Sequence, residues 1–250
     1  MNHISAIGFD LFNTLITVEP QTLIDAIERL IQGLKKGGFH LDEESFKKAY
    51  RESAISFIEE AKQNGMETHN RFWISSALKN QGYDIHPDDP RIEYVVGCYF
   101  SAFYHHCRLI PDTKEMLRTL KVDYRLGLLS NFTHGPAARI IIDRMGLRPF
   151  FNVVLISGEI GYRKPHPLVF RRLLENLGVE KEQLLYIGDD PEPDIHGACR
   201  AGIQPVWTTY VRDQKLPFVP GIIAGDPEQP DFEVPSISSW DELFSLLNKR

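Results

Sequence analysis

The chain has 250 residues, 42% hydrophobic and 25% charged, which is enough for a well-formed core in a soluble globular protein. A formal net charge of −6 argues against general nucleic-acid binding, and no apolar run approaches the ~18 residues of a membrane span. Cys98, Cys107 and Cys199 lack CxxC spacing and read as reduced, buried thiols; the opening MNHISAIGFDLF lacks a basic leader, so a cytoplasmic location is expected.

ISAIGFD (residues 4–10) reads as a short buried strand running into Asp10. Helical patterning follows. Leu23, Ile27, Leu30, Ile31 and Leu34 mark one stripe, stopped by Gly37 and Gly38. Phe46, Tyr50, Ala54, Phe57 and Ala61 mark a second helix, residues 70–80 a third, and Ile92, Val95, Val96, Tyr99 and Phe103 a fourth. Four such amphipathic helices suggest a small bundle, with Phe72, Trp73 and Tyr99 in its core.

From Pro111 the texture changes. Strand-like runs at 124–130, 152–157, 183–189 and 204–209 alternate with helical stretches near 112–121, 136–145, 165–177 and 194–201. Alternation of this kind predicts a parallel sheet with helices on both faces. The Pro-rich stretch 226–236 reads as a surface connection, and Ser239 with Glu242 as the capping box of a last helix. The expected fold is therefore α/β. A Rossmann-like parallel core (1–15 and 108–250) is split by an all-helical cap (16–107), with hinges at Thr17–Pro20 and Leu109–Asp112.

Strand-like runs end on polar residues: Asp10; Ser130 and Asn131; Ser157 and Glu159, followed by Lys164; and Asp189 with Asp190, Asp194 lying five residues after Asp189. Ligands of open parallel sheets bind beyond the carboxyl ends of the strands, so these groups are expected to meet. Taken singly, each aspartate could cap a helix or turn. Together, carboxylates this close repel unless a cation intervenes, and an oxygen-only set suits Mg2+. A cation, Lys164 and a strand-end hydroxyl make a receptor for a phosphoryl group, with Asp10 as the natural nucleophile.

FDLFNTL (9–15), LLSN (128–131), GYRKPHPLVF (161–170) and IGDDPEPDIHGACRAG (187–202) resemble the four motifs of the haloacid dehalogenase superfamily of hydrolases. The likeness is to subfamily I, whose helical cap is inserted after the first strand. It implies that Asp10 is the nucleophile and that the Phe12 carbonyl and Asp189 bind Mg2+. Asp194, and less directly Asp190, would support the metal. Lys164 would steady Asp10, Ser130 and the backbone at Asn131 would hold substrate oxygens, and Thr14 belongs to the first motif. A phosphorylated small metabolite would be the substrate of a monomer or homodimer.

The departure is Phe12, where phosphatases of the family carry an aspartate as general acid and base; loss of such a group costs about 10²–10⁴ in rate. Three readings follow. The first is a phosphohydrolase with an altered acid, His134 or Glu19 being candidates, although His134 reads more simply as an exposed loop residue. The second is 2-haloacid dehalogenation, which needs no acid and no metal. The third is a catalytically weak phosphate-binding protein. Among the remaining histidines, His105 and His106 point different ways on a helix and form no paired metal site, His166 lies at a helix start, and His196 is structural.

Overall fold

The computed structural model describes residues 3–216 and 229–247. Strand β1 (Ala6–Phe9) is central in a six-stranded parallel sheet of order β5-β4-β1-β6-β7-β8. The others are β4 (Arg125–Ser130), β5 (Val153–Ile156), β6 (Leu184–Gly188), β7 (Gln204–Thr208) and β8 (Ser236–Ile237). Side chains alternate across a strand, and the sheet is buried on both faces accordingly. Ile7, Phe9, Leu126, Leu128, Leu185 and Ile187 belong to one apolar cluster, which also takes in α6 (Thr113–Leu120), α7 (Gly135–Arg144) and α12 (Trp240–Leu246). Ala6, Leu129, Leu184 and Tyr186 belong to the other, with α9 (Pro167–Leu177) and α10 (Gly197–Arg200). Backbone and ring approach closely between β1 and β6: a Cβ at Gly8 would stand 2.8 Å from the Tyr186 ring.

Helices α1 (Thr22–Lys36), α2 (Glu43–Asn64), α3 (Asn70–Lys79), α4 (Pro90–Ser101) and α5 (Phe103–His106) form the helical insertion. Asp42 caps α2 by accepting from Ser45 N–H, and Gly65 ends that helix at φ 71°. Trp73 and Tyr99 are buried within the insertion as expected, and Phe72 packs at its margin.

Several expectations are corrected. Two short strands run into the segments read as hinges, a pairing the sequence reading does not foresee: β2 (Ile16–Val18) pairs antiparallel with β3 (Cys107–Leu109). The helix expected at 194–201 begins as a π-helix, Pro191–His196, and continues as α10. The stretch 226–236 begins outside the described residues; its end, Ser236, starts edge strand β8. Ser239 caps α12 as expected, but the Glu242 carboxylate takes the Ser238 N–H rather than that of Ser239. Only Cys107 is fully buried; Cys98 is half-buried and Cys199 is exposed.

Candidate active site

The central strands β4, β1 and β6 deliver Ser130, Asp10 and Asp189 to one edge of the sheet. Asp10 N–H donates to Ile187 O at 2.9 Å, so the loop after β1 starts in register with β6. The loop then turns tightly: Asn13 sits at φ 59°, a conformation asparagine tolerates, and its N–H donates to Ile16 O at 2.7 Å.

Lys164 lies at the centre, 2% exposed. Its Nζ is 2.6 Å from Asp10 Oδ1, 2.6 Å from Asp194 Oδ1 and 3.0 Å from the Tyr186 hydroxyl. Burial alone would pull its ammonium down, but the facing Asp10 and Asp194 carboxylates hold its pKa well above the ordinary lysine value. The Lys164 backbone is held by Asn131, whose Oδ1 accepts Lys164 N–H at 2.8 Å and whose Nδ2 donates to Lys164 O at 2.9 Å. Both ends of the Asn131 side-chain amide are therefore engaged by the lysine backbone, which leaves the Asn131 main chain as the part that the sequence reading assigns to substrate oxygens.

Asp10, Asp189 and Asp194 each offer an oxygen within 4.8 Å of the others. Burial pushes Asp10 up to about 7, with the Asp194 charge adding to the rise and Lys164 opposing it. Asp189 is likewise raised well above the carboxylate range, by burial first and then by Asp10 and Asp194. One lysine does not neutralise three buried carboxylates, and this donor set fits a hard divalent cation. Asp194 is already committed on both oxygens, Oδ1 to Lys164 and Oδ2 to Asp190 N–H at 3.1 Å. Gly188 makes room for it, since a Cβ there would stand 2.3 Å from the Asp194 carboxyl carbon. The π-turn brings Asp194 back over the strand end, as such turns do at functional sites.

Other residues read from the sequence fall differently. Thr14 is fully buried and donates to Asp189 Oδ1 at 3.4 Å, so it supports that carboxylate from below. Asp190 has an exposed side chain and stands outside the three-carboxylate cluster; its contribution is the backbone N–H to Asp194. Ser130 is 1% exposed, and its hydroxyl has no hydrogen-bond partner. Glu159 pairs with Arg139 at 2.6 Å, away from the cluster.

Phe12 is 6% exposed, and its ring stacks on Phe132 at 5.1 Å between centroids. Phe132 in turn meets Phe100 at 5.2 Å, and Phe100 stacks on His134 at 4.7 Å. His134 is thus no exposed loop residue. Its Nδ1 caps α7 by accepting Ala137 N–H, and burial pushes its pKa down to about 4. Nδ1 being an acceptor, the proton of the neutral ring sits on Nε2, and a neutral imidazole is a poor acid. Glu19, the other candidate, is tied to His106 at 2.9 Å and Arg108 at 2.6 Å, and its hydrogen bond to His106 lowers its pKa. His166 caps α9 by accepting Leu168 N–H.

Two supporting residues escaped sequence reading. Tyr186 lies 3.0 Å from Lys164 Nζ and 3.1 Å from Leu129 O, and Trp207 Nε1 donates to the Asp189 carbonyl at 2.9 Å. The one signal was a tyrosine and a tryptophan, each carrying a donor, inside otherwise apolar strands.

A family model described as haloacid dehalogenase-like hydrolase matches residues 4–202. The chain belongs to this family. Among its curated relatives within these hydrolases is the glyceraldehyde 3-phosphate phosphatase of Methanopyrus kandleri, 29% identical over 234 residues and covering 92% of this chain and 93% of the relative. The phosphoserine phosphatase of Thermus thermophilus is 36% identical over 137 residues, 53% of this chain and 51% of the relative. Among solved structures, the 2-haloacid dehalogenase of Pseudomonas syringae superposes with TM-score 0.69 at 21% identity, covering 98% of each chain. A magnesium-bound hydrolase of the superfamily from Bacillus subtilis superposes with TM-score 0.65 at 21% identity, covering 98% of this chain and 99% of that one. At these identities the structural likeness speaks for the fold alone.

Proposed function

We propose that this hydrolase is a Mg2+-dependent phosphohydrolase that acts through an aspartyl-phosphate on Asp10. The observation that carries the reading is the pairing of Asp10 and Lys164 inside a cluster of three buried carboxylates. A site for metal-free dehalogenation has no use for three carboxylates around one lysine, and the relatives similar over most of the chain are named as phosphatases. Asp10, Asp189 and the Phe12 carbonyl would hold the ion, which when bound would neutralise phosphoryl charge. Asp194 acts chiefly by holding Lys164 and keeping it protonated.

Each residue then has a task. Asp10 attacks phosphorus and later gives the phosphoryl group to water. Lys164 orients Asp10 and offsets the charge that develops. The unpartnered Ser130 hydroxyl is poised to donate to a phosphoryl oxygen. Residues 16–107 serve as a cap over this edge of the sheet and restrict water. Phe12 transfers no proton, so the leaving group departs without local acid help. A small phosphorylated metabolite is the fitting substrate class.

The test is hydrolysis of p-nitrophenyl phosphate with Mg2+, with chelator, and by Asp10→Asn. Turnover that is lost with chelator and lost in the variant is the expected result. Absence of turnover above the variant control, or 2-haloacid turnover that survives chelator, would overturn the reading.

A further inference from the structure

Glu67 lies in the connection between α2 and α3, far in sequence from every motif, yet its side chain is only 3% exposed. A buried carboxylate is costly unless its oxygens are satisfied. Here both are. Oε1 accepts Thr68 N–H at 2.9 Å and faces Arg163 Nη1 at 3.4 Å, and Oε2 accepts the Ser157 hydroxyl. The backbone reinforces the contact: Met66 and Tyr162 form an antiparallel bridge, Glu67 N–H donates to Gly161 O at 3.0 Å, and Arg163 N–H donates to Gly65 O at 3.0 Å.

The partners matter more than the contact itself. Ser157 Oγ also accepts Phe132 N–H at 2.8 Å, and Phe132 follows Ser130 and Asn131. Arg163 directly precedes Lys164, whose backbone Asn131 clamps. One carboxylate of the helical insertion therefore ties down both loops that deliver the phosphoryl-binding hydroxyl and the central lysine. An apolar residue could fill this space, but it could not accept from Ser157 and Arg163 together.

We infer that Glu67 is a positioning residue: it couples docking of the cap to the alignment of Ser130 and Lys164, so that the site is complete only while the cap is seated. When the cap lifts, Ser157 and Arg163 lose their acceptor and both loops loosen. The inference rests on the phosphohydrolase reading for its catalytic consequence and on the hydrogen bonds alone for the coupling.

Two measurements separate these. In the first, kcat/KM for p-nitrophenyl phosphate falls roughly tenfold to hundredfold in Glu67→Ala and in Ser157→Ala, as expected for misplaced catalytic groups. The double variant falls by clearly less than the product of the two single losses, because the Glu67–Ser157 hydrogen bond is common to both. Glu67→Gln, which still accepts from Ser157, recovers part of the loss. In the second, hydrogen exchange at the Phe132 and Arg163 amides speeds up in Glu67→Ala while that at Leu128 in β4 is unchanged. Single losses that multiply in the double variant, or unchanged kcat/KM per folded molecule, overturn the inference. A wild type that turns over no phosphate ester overturns the phosphohydrolase reading instead, and the exchange experiment then still judges the coupling. Should Glu67→Ala fail to fold, Ser157→Ala and Glu67→Gln carry both measurements.

Discussion

Phe12 occupies the place of a proton donor, and its ring is put to use: it anchors a stack that runs through Phe132 and Phe100 to His134. Replacing it therefore has two effects of opposite sign. Phe12→Asp removes a buried aromatic contact and leaves a carboxylate in apolar surroundings, a loss of about 3 kcal/mol or more visible as a lower melting temperature. The same change supplies an acid, so turnover of an alkyl phosphate should rise at least about tenfold relative to p-nitrophenyl phosphate, measured in paired assays. Asn131 offers a cleaner case. Asn131→Ala deletes both hydrogen bonds to the Lys164 backbone and should cost about 1–3 kcal/mol of stability by denaturant unfolding, with a loss of kcat larger than any change in KM.

At the scale of elements, the π-turn after β6 decides where Asp194 stands, and Gly188 decides whether it fits. Gly188→Ala should push the Asp194 carboxylate off Lys164 and raise the Mg2+ concentration for half-maximal activity by about 10–100-fold, read from a metal titration of the rate. The long elements were legible in the sequence because periodicity needs length: α1 to α4, β1, β4, β6 and β7 stand where their stripes and apolar runs placed them. β2, β3 and β8 have two or three residues each, too few for any pattern, and the π-turn carries no periodic mark. The same logic holds for the site. Asp10, Ser130 and Asp189 could be read because strand ends announce themselves, and Lys164 and Asp194 because they follow strand ends within recognisable motifs. Tyr186 inside a strand run and Glu67 between two helical stretches gave no signal, and His134 read as a loop residue, because their partners are remote along the chain and only packing brings them together.

For the molecule as a whole, the insertion and the sheet core meet through aromatic and imidazole rings. His69 at the start of α3 stands edge-on to His134 at 5.3 Å, and burial pushes both down to about 4. The neutral forms are the ones that fit. Above the unfolded value near 6.5 this contact contributes fully; as pH falls from there toward 4, the unfolded imidazoles take up protons that the folded ones refuse, and stability declines. Because the rings are partly solvated, the effect is on the order of 1 kcal/mol each, or about 2–4 °C in melting temperature. His69→Asn keeps an N-capping side chain and should flatten the fall in melting temperature between pH 6.5 and 4, followed by calorimetry. A wild-type imidazole titration by NMR with a midpoint near 6.5 for both rings would contradict this account.

The β2–β3 ribbon has a consequence of a different kind. Val18 faces Cys107, and Glu19 N–H donates to His106 O at 3.1 Å, so the chain leaves the sheet core and returns to it at nearly one point. With its two ends held together, each doubling of such a detour costs only about 0.6 kcal/mol more in closure entropy. Much of what lies between them can lengthen or shorten while β1 and α6 keep their places, provided the Glu67 contact with Ser157 and Arg163 is kept. The ribbon thus acts as a socket that leaves the inserted helices free to differ, except where Glu67 ties them to the loops beside Asp10.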